Sequence, residues 1–303
     1  MMTIQPPLVI TIILNTSRRE DSLANLASLA GSDYPNMRTL VLDNASIDRS
    51  VEAIRSSYPA VEVIQLDQNL GYAGNNNVGI QAALTRGADW IFVLNEDTVL
   101  APDCLTRLVE VGESDPRIGI VGPMVYHHDE PDVIQSAGGR LDHSWRAWHL
   151  AQNEPDQGQY NRPHPVDWIS GCAIMVRRTM IDQVGALDER FFYYWEETEW
   201  CLRAKEHGWM ILHIPLAKLW HKGVRRNYQP GPNVTYYSTR NRFLMLSKHK
   251  APWVAWMVAW GQILRTLVSW SVKPKWRVMR NHKIAMWQGT LDFLKHRWGM
   301  RAQ

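Results

Sequence analysis

Apolar runs rich in branched residues alternate with helical patterns through the first part of the chain. LVITIIL (8–14), RTLVL (38–42), VEVIQL (61–66) and WIFVL (90–94) read as buried strands. Between the first two, EDSLANLASLA (20–30) has helical spacing, with Leu23, Leu26, Ala27 and Ala30 on one face and Gly31 at its end. Further helices are expected near Asp48, near Tyr72 and from Pro102, a residue suited to a first helical turn. Strands alternating with helices predict an α/β fold with a mainly parallel sheet. The pattern loosens over 122–170 into Gly, Pro and His with short alternating pieces such as RAWHLA (146–151), which predicts a strand or hairpin insertion. Regularity returns with a strand at CAIMVRR (172–178), a helix over 197–207 and a strand at WMILHI (209–214). Beyond Tyr236 the chain reads as helical. Over 251–272, Trp253, Trp256, Trp260, Ile263, Leu267 and Trp270 recur every three or four residues as one stripe.

Length and composition narrow this picture. A chain of 303 residues that is 45% hydrophobic and 21% charged is neither disordered nor polytopic, and it divides into a main domain, 1–249, and a tail, 250–303. Cys104, Cys172 and Cys201 are odd in number and far apart, so neither a disulfide framework nor a zinc site is expected, and a reducing compartment fits. The opening MMTIQPPLVITIIL carries no basic leader or cleavage site, and its apolar run is too short to span a membrane. The formal charge of +3 hides an asymmetry: from Lys248 onward eleven Lys and Arg face one acid, Asp292. Such a tail calls for an anionic partner, and no nucleic-acid partner is expected. Seven of the 15 Trp lie in the tail, so a helix lying on an anionic membrane surface is one reading of it. Packing on the domain and pairing in a homodimer are the others.

Four segments carry candidate chemistry. VLNEDTVL (93–100) ends a buried strand in Asn95, Glu96 and Asp97, where open α/β sheets bind ligands; an acid there can hold a hard divalent cation bridging diphosphate oxygens, or can cap a following helix. LVLDNASIDRS (40–50) ends a strand in Asp43, whose carboxylate can accept the imide N–H of uracil or thymine, or can make a turn. NLGYAGNNNVGI (69–80) suits a loop running close to a ligand and lacks the G-x-G-x-x-G of dinucleotide enzymes. In FFYYWEETEWCLRAKEHGW (191–209), Glu196, Glu197 and Glu199 follow an aromatic run, whose desolvation raises a carboxyl toward the range of a general base.

Taken in order, these segments resemble glycosyltransferase family 2, and within it the bacterial rhamnosyltransferase-like branch. The resemblance runs from about Val9 to His249 and continues through VDWISGCAIMVRR (166–178), LWHKG (219–223) and YYSTRNRFLMLSKH (236–249). It implies a nucleotide-sugar-binding fold of the glycosyltransferase A type with a C-terminal helical tail, and transfer with inversion. By position it assigns Asp43 to the pyrimidine base, and Asn15, Asn75 and Asn76 to the nucleoside, with Asn95 beside them. It assigns Asp97 and His221 to a divalent metal, Mg2+ or Mn2+, and Arg240 to the diphosphate or acceptor. Glu197 takes the place of the catalytic base, usually Asp, with Glu196 beside it and Glu199 as the alternative. Asn95 replaces the first acid of a strict Asp-X-Asp.

The expected reaction moves a sugar from a UDP or dTDP donor, rhamnose being one candidate, to a glycan or lipid-linked acceptor at the cytoplasmic face of a membrane. One carboxylate then suffices as base, because a divalent ion can neutralise the leaving diphosphate. The alternatives are a catalytically idle glycan- or membrane-binding subunit of the same fold, and a sugar-1-phosphate nucleotidyltransferase, which would need an N-terminal phosphate loop that the sequence lacks.

Overall fold

The computed structural model describes residues 5–223 and 225–302, so the first four residues of the opening segment lie outside it. Strand β1 (Val9–Asn15), helix α1 (Arg19–Ala30), β2 (Met37–Asp43), α2 (Ser50–Ser57), β3 (Glu62–Gln65), α3 (Gly71–Thr85) and β4 (Trp90–Asn95) follow the predicted alternation. They lie in the sheet as β3-β2-β1-β4, all parallel. The chain steps from β1 to β2 to β3 in one direction and then crosses back to place β4 on the other side of β1. That reversal opens a crevice beyond the carboxyl ends of β1 and β4, the usual ligand position in such sheets.

The apolar runs have a physical reason for being continuous. Both faces of β4 are covered, and Trp90, Ile91, Phe92, Val93 and Leu94 are all at most 1% exposed. Helix α1 differs from expectation. Ala27 and Ala30 face solvent, while Ser22 and Asn25 are buried with Leu26 and Leu29, because both polar side chains find partners toward the sheet edge.

After β4 comes β5 (Thr98–Leu100), and α4 (Cys104–Glu113) starts two residues later than Pro102. Residues 98–100 pair antiparallel with the end of a strand over a hundred residues away, so neither Asp97 nor Thr98 caps a helix. β6 (Ile118–His127) is a fully buried strand of the main sheet, so regular structure extends into the first part of the segment read as an insertion. The insertion proper comprises β7 (Ile134–Ser136), the pair β8 (Gly139–Leu141) and β9 (Ala147–His149), and β10 (His164–Pro165). β11 (Ala173–Arg177) runs antiparallel between β4 and β6. α5 (Arg178–Val184), α6 (Glu196–Glu206) and β12 (Met210–His221) complete the sheet.

The remainder is helical: α7 (Pro232–Lys248), α8 (Trp253–Val272) and α9 (Arg280–Leu294). The tail is folded onto α7. A Cβ at Gly289 of α9 would lie 2.6 Å from the Tyr236 carbonyl oxygen of α7, so only glycine permits this crossing. The predicted Trp stripe of α8 turns mainly inward: Trp256 and Ile263, with Ala255 and Ala259, pack against Phe243 and Phe293, and Trp260 lies against Phe243, while Trp253 is exposed. The exposed apolar face is made by Trp253 with Met257, Leu264, Val268 and Val272, outside the predicted stripe apart from Trp253. No described helix is long and apolar enough to cross a membrane.

Candidate active site

The register of the sheet aligns three of the expected residues. Asn15 sits opposite Asp43, and Leu14 opposite Asn95, so the ends of β2, β1 and β4 form one polar edge. Glu96 and Asp97 continue from this edge into the crevice, and β5 pairing with β12 places Thr98 opposite His221. The result is a cleft of about 640 Å³ walled by Asn44, Asn75, Asn95, Asp97, Glu197 and His221. The insertion contributes Gln135, His149 and Gln152 to the wall.

Asp97 and His221 are both buried, and Asp97 Oδ1 lies 3.1 Å from His221 Nε2. The contact lacks hydrogen-bond alignment: Oδ1 is a buried oxygen with no hydrogen-bond partner among the described residues. His221 Nδ1 is turned toward Gln135 Oε1 at 3.1 Å, which fixes the ring with Nε2 facing Asp97. Arg18 Nη1 donates to Asp97 Oδ2 at 2.5 Å. Burial alone would raise Asp97, but His221 and Arg18 more than offset it and hold the carboxyl below its ordinary value. An ionised, orphaned oxygen beside an imidazole nitrogen suits a hard or borderline divalent cation, which would take its remaining ligands from outside the chain. Among the described residues no third His, Cys, Asp or Glu joins them.

Glu196 and Glu197 open α6, directly after a loop held in an unusual conformation. Phe192, Tyr194 and Trp195 all have φ between 63° and 76°, the left-handed region that non-glycine residues rarely enter. Two neighbours on α7 enforce it. Asn241 Nδ2 lies 2.7–2.8 Å from the carbonyl oxygens of Phe191, Tyr193 and Tyr194, and Arg240 donates to those of Arg190 and Phe191. On the other side, a Cβ at Gly71 would lie 2.4 Å from the Phe192 carbonyl oxygen, so α3 can begin here only with glycine. The helix N-terminus favours ionised carboxylates, yet desolvation prevails: burial raises Glu196 well above its ordinary value, with Glu197 adding to it, and raises Glu197 too.

The other expected site residues separate into two groups. Asn75 and Asn95 line the cleft; Asp43 does not, being buried at the end of β2 next to the lining residue Asn44, with Oδ1 bonded to Asn15 at 2.7 Å. Asn15 is wholly buried: Nδ2 reaches Asp43, Ser46 and Ser50, and Oδ1 accepts from Ser22, so it orients Asp43 from behind. Asn76 is likewise turned inward, donating to the Tyr72 carbonyl at 2.9 Å. Arg240 is not in the cleft. It is fully buried and spends its donors on carbonyls, including that of Gly299, so its place is to hold the aromatic loop and the tail. Glu199 faces the opposite way, into Arg203, Lys248 and His249; burial would raise it, but these cations pull it down to about 2.

Among the wall residues that the sequence reading did not name, two carry ionisable side chains that bear on the site. Arg18, just past β1, bridges Asp97 and Asp21, and its one signal was a basic pair after a strand end. His149 comes from the insertion and is pushed down to about 4 by burial, so it is a neutral imidazole near pH 7.

A mainly parallel sheet with its acids at a switch point is the glycosyltransferase A-type architecture. Two solved structures share it. The mannosyltransferase PcManGT of Pyrobaculum calidifontis, in complex with GDP-Man and Mn2+, superposes with a TM-score of 0.61 at 15% identity, covering 97% of this chain and 89% of its own. GalNAc-T7 with UDP, GalNAc and Mn2+ gives 0.65 at 14% identity, over 96% and 58%. The model of glycosyl transferase family 2 matches residues 9–185, more than half of the chain, and the chain belongs to that family. The match includes Asp43 and Asp97 and ends before the Glu196–Glu197 pair. Similar proteins are the N-acetylglucosaminyl-diphospho-decaprenol L-rhamnosyltransferase of Mycobacterium tuberculosis, 27% identical over 87% of this chain and 92% of the relative, and the dTDP-rhamnosyl transferase RfbF of Shigella flexneri, 26% over 84% and 86%.

Proposed function

We propose that this glycosyltransferase is an inverting, metal-dependent enzyme that moves a sugar, with rhamnose the leading candidate, from a dTDP or UDP donor to a glycan or lipid-linked saccharide used in cell-surface polysaccharide. The observation that carries this reading is a division between acids in one cleft: Asp97 is held ionised by His221 and Arg18, whereas burial raises Glu197. Environments that push two carboxyls apart assign different roles to them. The named activities of the relatives support the donor and acceptor classes.

In this reading Asp43, oriented by Asn15, accepts the pyrimidine imide N–H, and Asn75 and Asn95 flank the nucleoside. Asp97 and His221 hold Mg2+ or Mn2+, which when bound supplies positive charge to the diphosphate leaving group. Arg18 adds a guanidinium at the same place. Glu197 removes the proton from the acceptor hydroxyl as that oxygen attacks the anomeric carbon; Glu196, more deeply buried, keeps its own proton and does not compete. The exposed apolar face of α8, flanked by Lys250, Lys273, Lys275 and Arg277, docks on an anionic membrane surface at the cytoplasmic side.

The test is release of nucleoside diphosphate from a panel of activated sugars with Mn2+ or EDTA, using wild type and Asp97→Ala. Release by wild type with metal, lost in EDTA and in the folded variant, is expected. No release from any donor, with any candidate acceptor, would favour an idle binding subunit.

A further inference from the structure

A side cavity of about 410 Å³ adjoins the cleft, and the two share Asn69, Phe192 and Tyr193 in their walls. Tyr193 also stands three positions before Glu196. The residue as a whole is 44% exposed, while its phenol end is desolvated. That desolvation raises the phenol, and Glu196 and Asp97 add to the rise, so the hydroxyl lies within electrostatic reach of both site acids. One side chain therefore belongs to the acid-bearing cleft and to the side cavity at once.

The wall beyond Tyr193 is built from amides. Arg301 Nη1 donates to Asn233 Oδ1 at 2.7 Å, Nε donates to Gln288 Oε1 at 3.2 Å, and Nη2 reaches the same oxygen. With both amide oxygens turned to the guanidinium, Asn233 Nδ2 and Gln288 Nε2 are left as donors with no acceptor among the described residues. Asn69 repeats the arrangement: Oδ1 accepts from the Gly71 backbone N–H at 2.9 Å, and Nδ2 is unused among the described residues. No carboxylate lines the cavity, and Arg301 is committed to the two amides. Amide donors around an aromatic ring suit an uncharged sugar. Its hydroxyl oxygens accept from the amides, and its C–H bonds, slightly positive, lie on the negative face of the ring. An anion would call for a guanidinium with free donors, and an apolar ligand would leave the amides unpaired.

We infer that this side cavity is a second saccharide subsite: the acceptor's terminal sugar lies in the cleft with its hydroxyl at Glu197, and the next ring rests on Tyr193 with its oxygens at Asn69, Asn233 and Gln288. The acceptor is then at least a disaccharide. This rests on the reading of the cleft as a transferase site. The cavity has the volume of an ordinary small-ligand pocket. Its far wall comes from the tail: Gly289 lets α9 lie against the Tyr236 carbonyl of α7, and the neighbouring Gln288 is thereby tied through Arg301 to Asn233 at the start of α7. The tail thus contributes directly to the choice of acceptor.

The probe is an array of neutral and acidic glycans, from methyl glycosides to tetrasaccharides, read with the labelled full chain in UDP or dTDP and Mn2+. Wild type should bind neutral members of two or more sugars and pass over the methyl glycoside of the same terminal sugar. Gln288→Glu and Asn233→Asp keep the oxygen that Arg301 uses and replace the donor nitrogen. Each should weaken the selected oligosaccharide about two- to tenfold, the range for one hydrogen bond, with nucleoside diphosphate affinity unchanged by calorimetry. Tyr193→Ala should lose the oligosaccharide and Tyr193→Phe keep it; should the Ala variant fail to fold, the two amide variants decide. Equal affinity for methyl glycoside and oligosaccharide, binding confined to acidic glycans, undiminished binding in both amide variants, or no bound glycan while nucleoside diphosphate binds would each overturn the subsite alone. Absence of nucleoside diphosphate binding from wild type would refute the transferase reading, and the subsite with it.

Discussion

Glu196, Glu197 and Glu199 lie within four positions of one helix, yet their surroundings give them opposite chemistry. Glu199 meets three cationic partners, two of them, Lys248 and His249, from the end of α7. Its carboxyl falls to about 2 in the fold, so its contribution to stability is complete above the ordinary glutamate value and is lost as pH falls toward 2. Glu196 is displaced upward, so the folded state holds a proton that the unfolded chain has released; stability therefore declines as pH rises above the ordinary value. Glu196→Gln should flatten that decline in melting temperature. Glu197→Gln should keep affinity for donor and metal while turnover drops roughly 10²–10⁴-fold, the usual contribution of a positioned base. In wild type the acidic limb of the rate should lie above the ordinary glutamate value, because Glu197 must lose its proton to act. An acidic limb at or below that value, or full turnover in Glu197→Gln with loss in a folded Glu199→Gln, would remove Glu197 from the role. The string EETE does not distinguish the three: Arg203, an i,i+4 partner, is the one local signal for Glu199, and its other two cations, Lys248 and His249, lie about fifty residues away.

At the scale of elements, the strands were legible because a sheet covered on both faces demands continuous apolar runs, and β1, β2 and β4 carry them. The short strand β5 was not, since three residues acquire extended structure only from pairing with β12. Nor could the place of Arg240 be read, because its acceptors are carbonyls of a loop fifty residues away and carbonyls carry no sequence signature. Asp97 and His221, widely separated in the chain, are adjacent in the fold, whereas which face of α8 is exposed depends on where Phe243 and Phe293 pack. The loop before α6 yields a prediction at this scale. Asn241 is a positioning residue: its amide is the shared anchor of three carbonyls in a strained stretch, so Asn241→Ala frees Glu197 to move. That variant should lose turnover, shift the acidic limb of the pH profile toward the ordinary glutamate value and keep nucleotide affinity. Lower melting temperature with an unaltered pH profile would reduce Asn241 to a stabilising residue.

For the whole molecule, charge and exposed apolar surface coincide in the tail. Trp253, Met257, Leu264, Val268 and Val272 share one outward face of α8, and basic residues cluster at both ends of that helix. The full chain should float with anionic vesicles, lose that binding at high salt and lose it when Trp253, Met257 and Leu264 are changed to Ala; salt-insensitive self-association in place of flotation would make this face a dimer interface instead. Cutting the chain at His249 is a poor control, since α9 and Gly299 are tied to α7 and support the loop that presents Glu197. The central claim joins Asp97 and Glu197 in one displacement, and the configuration of the product tests it most directly. With a donor of defined anomeric configuration, Mn2+ and an accepted saccharide, nuclear magnetic resonance of the new linkage should show the opposite configuration, formed by wild type and lost with Glu197→Gln. A product that retains the donor's configuration would contradict the single-base account.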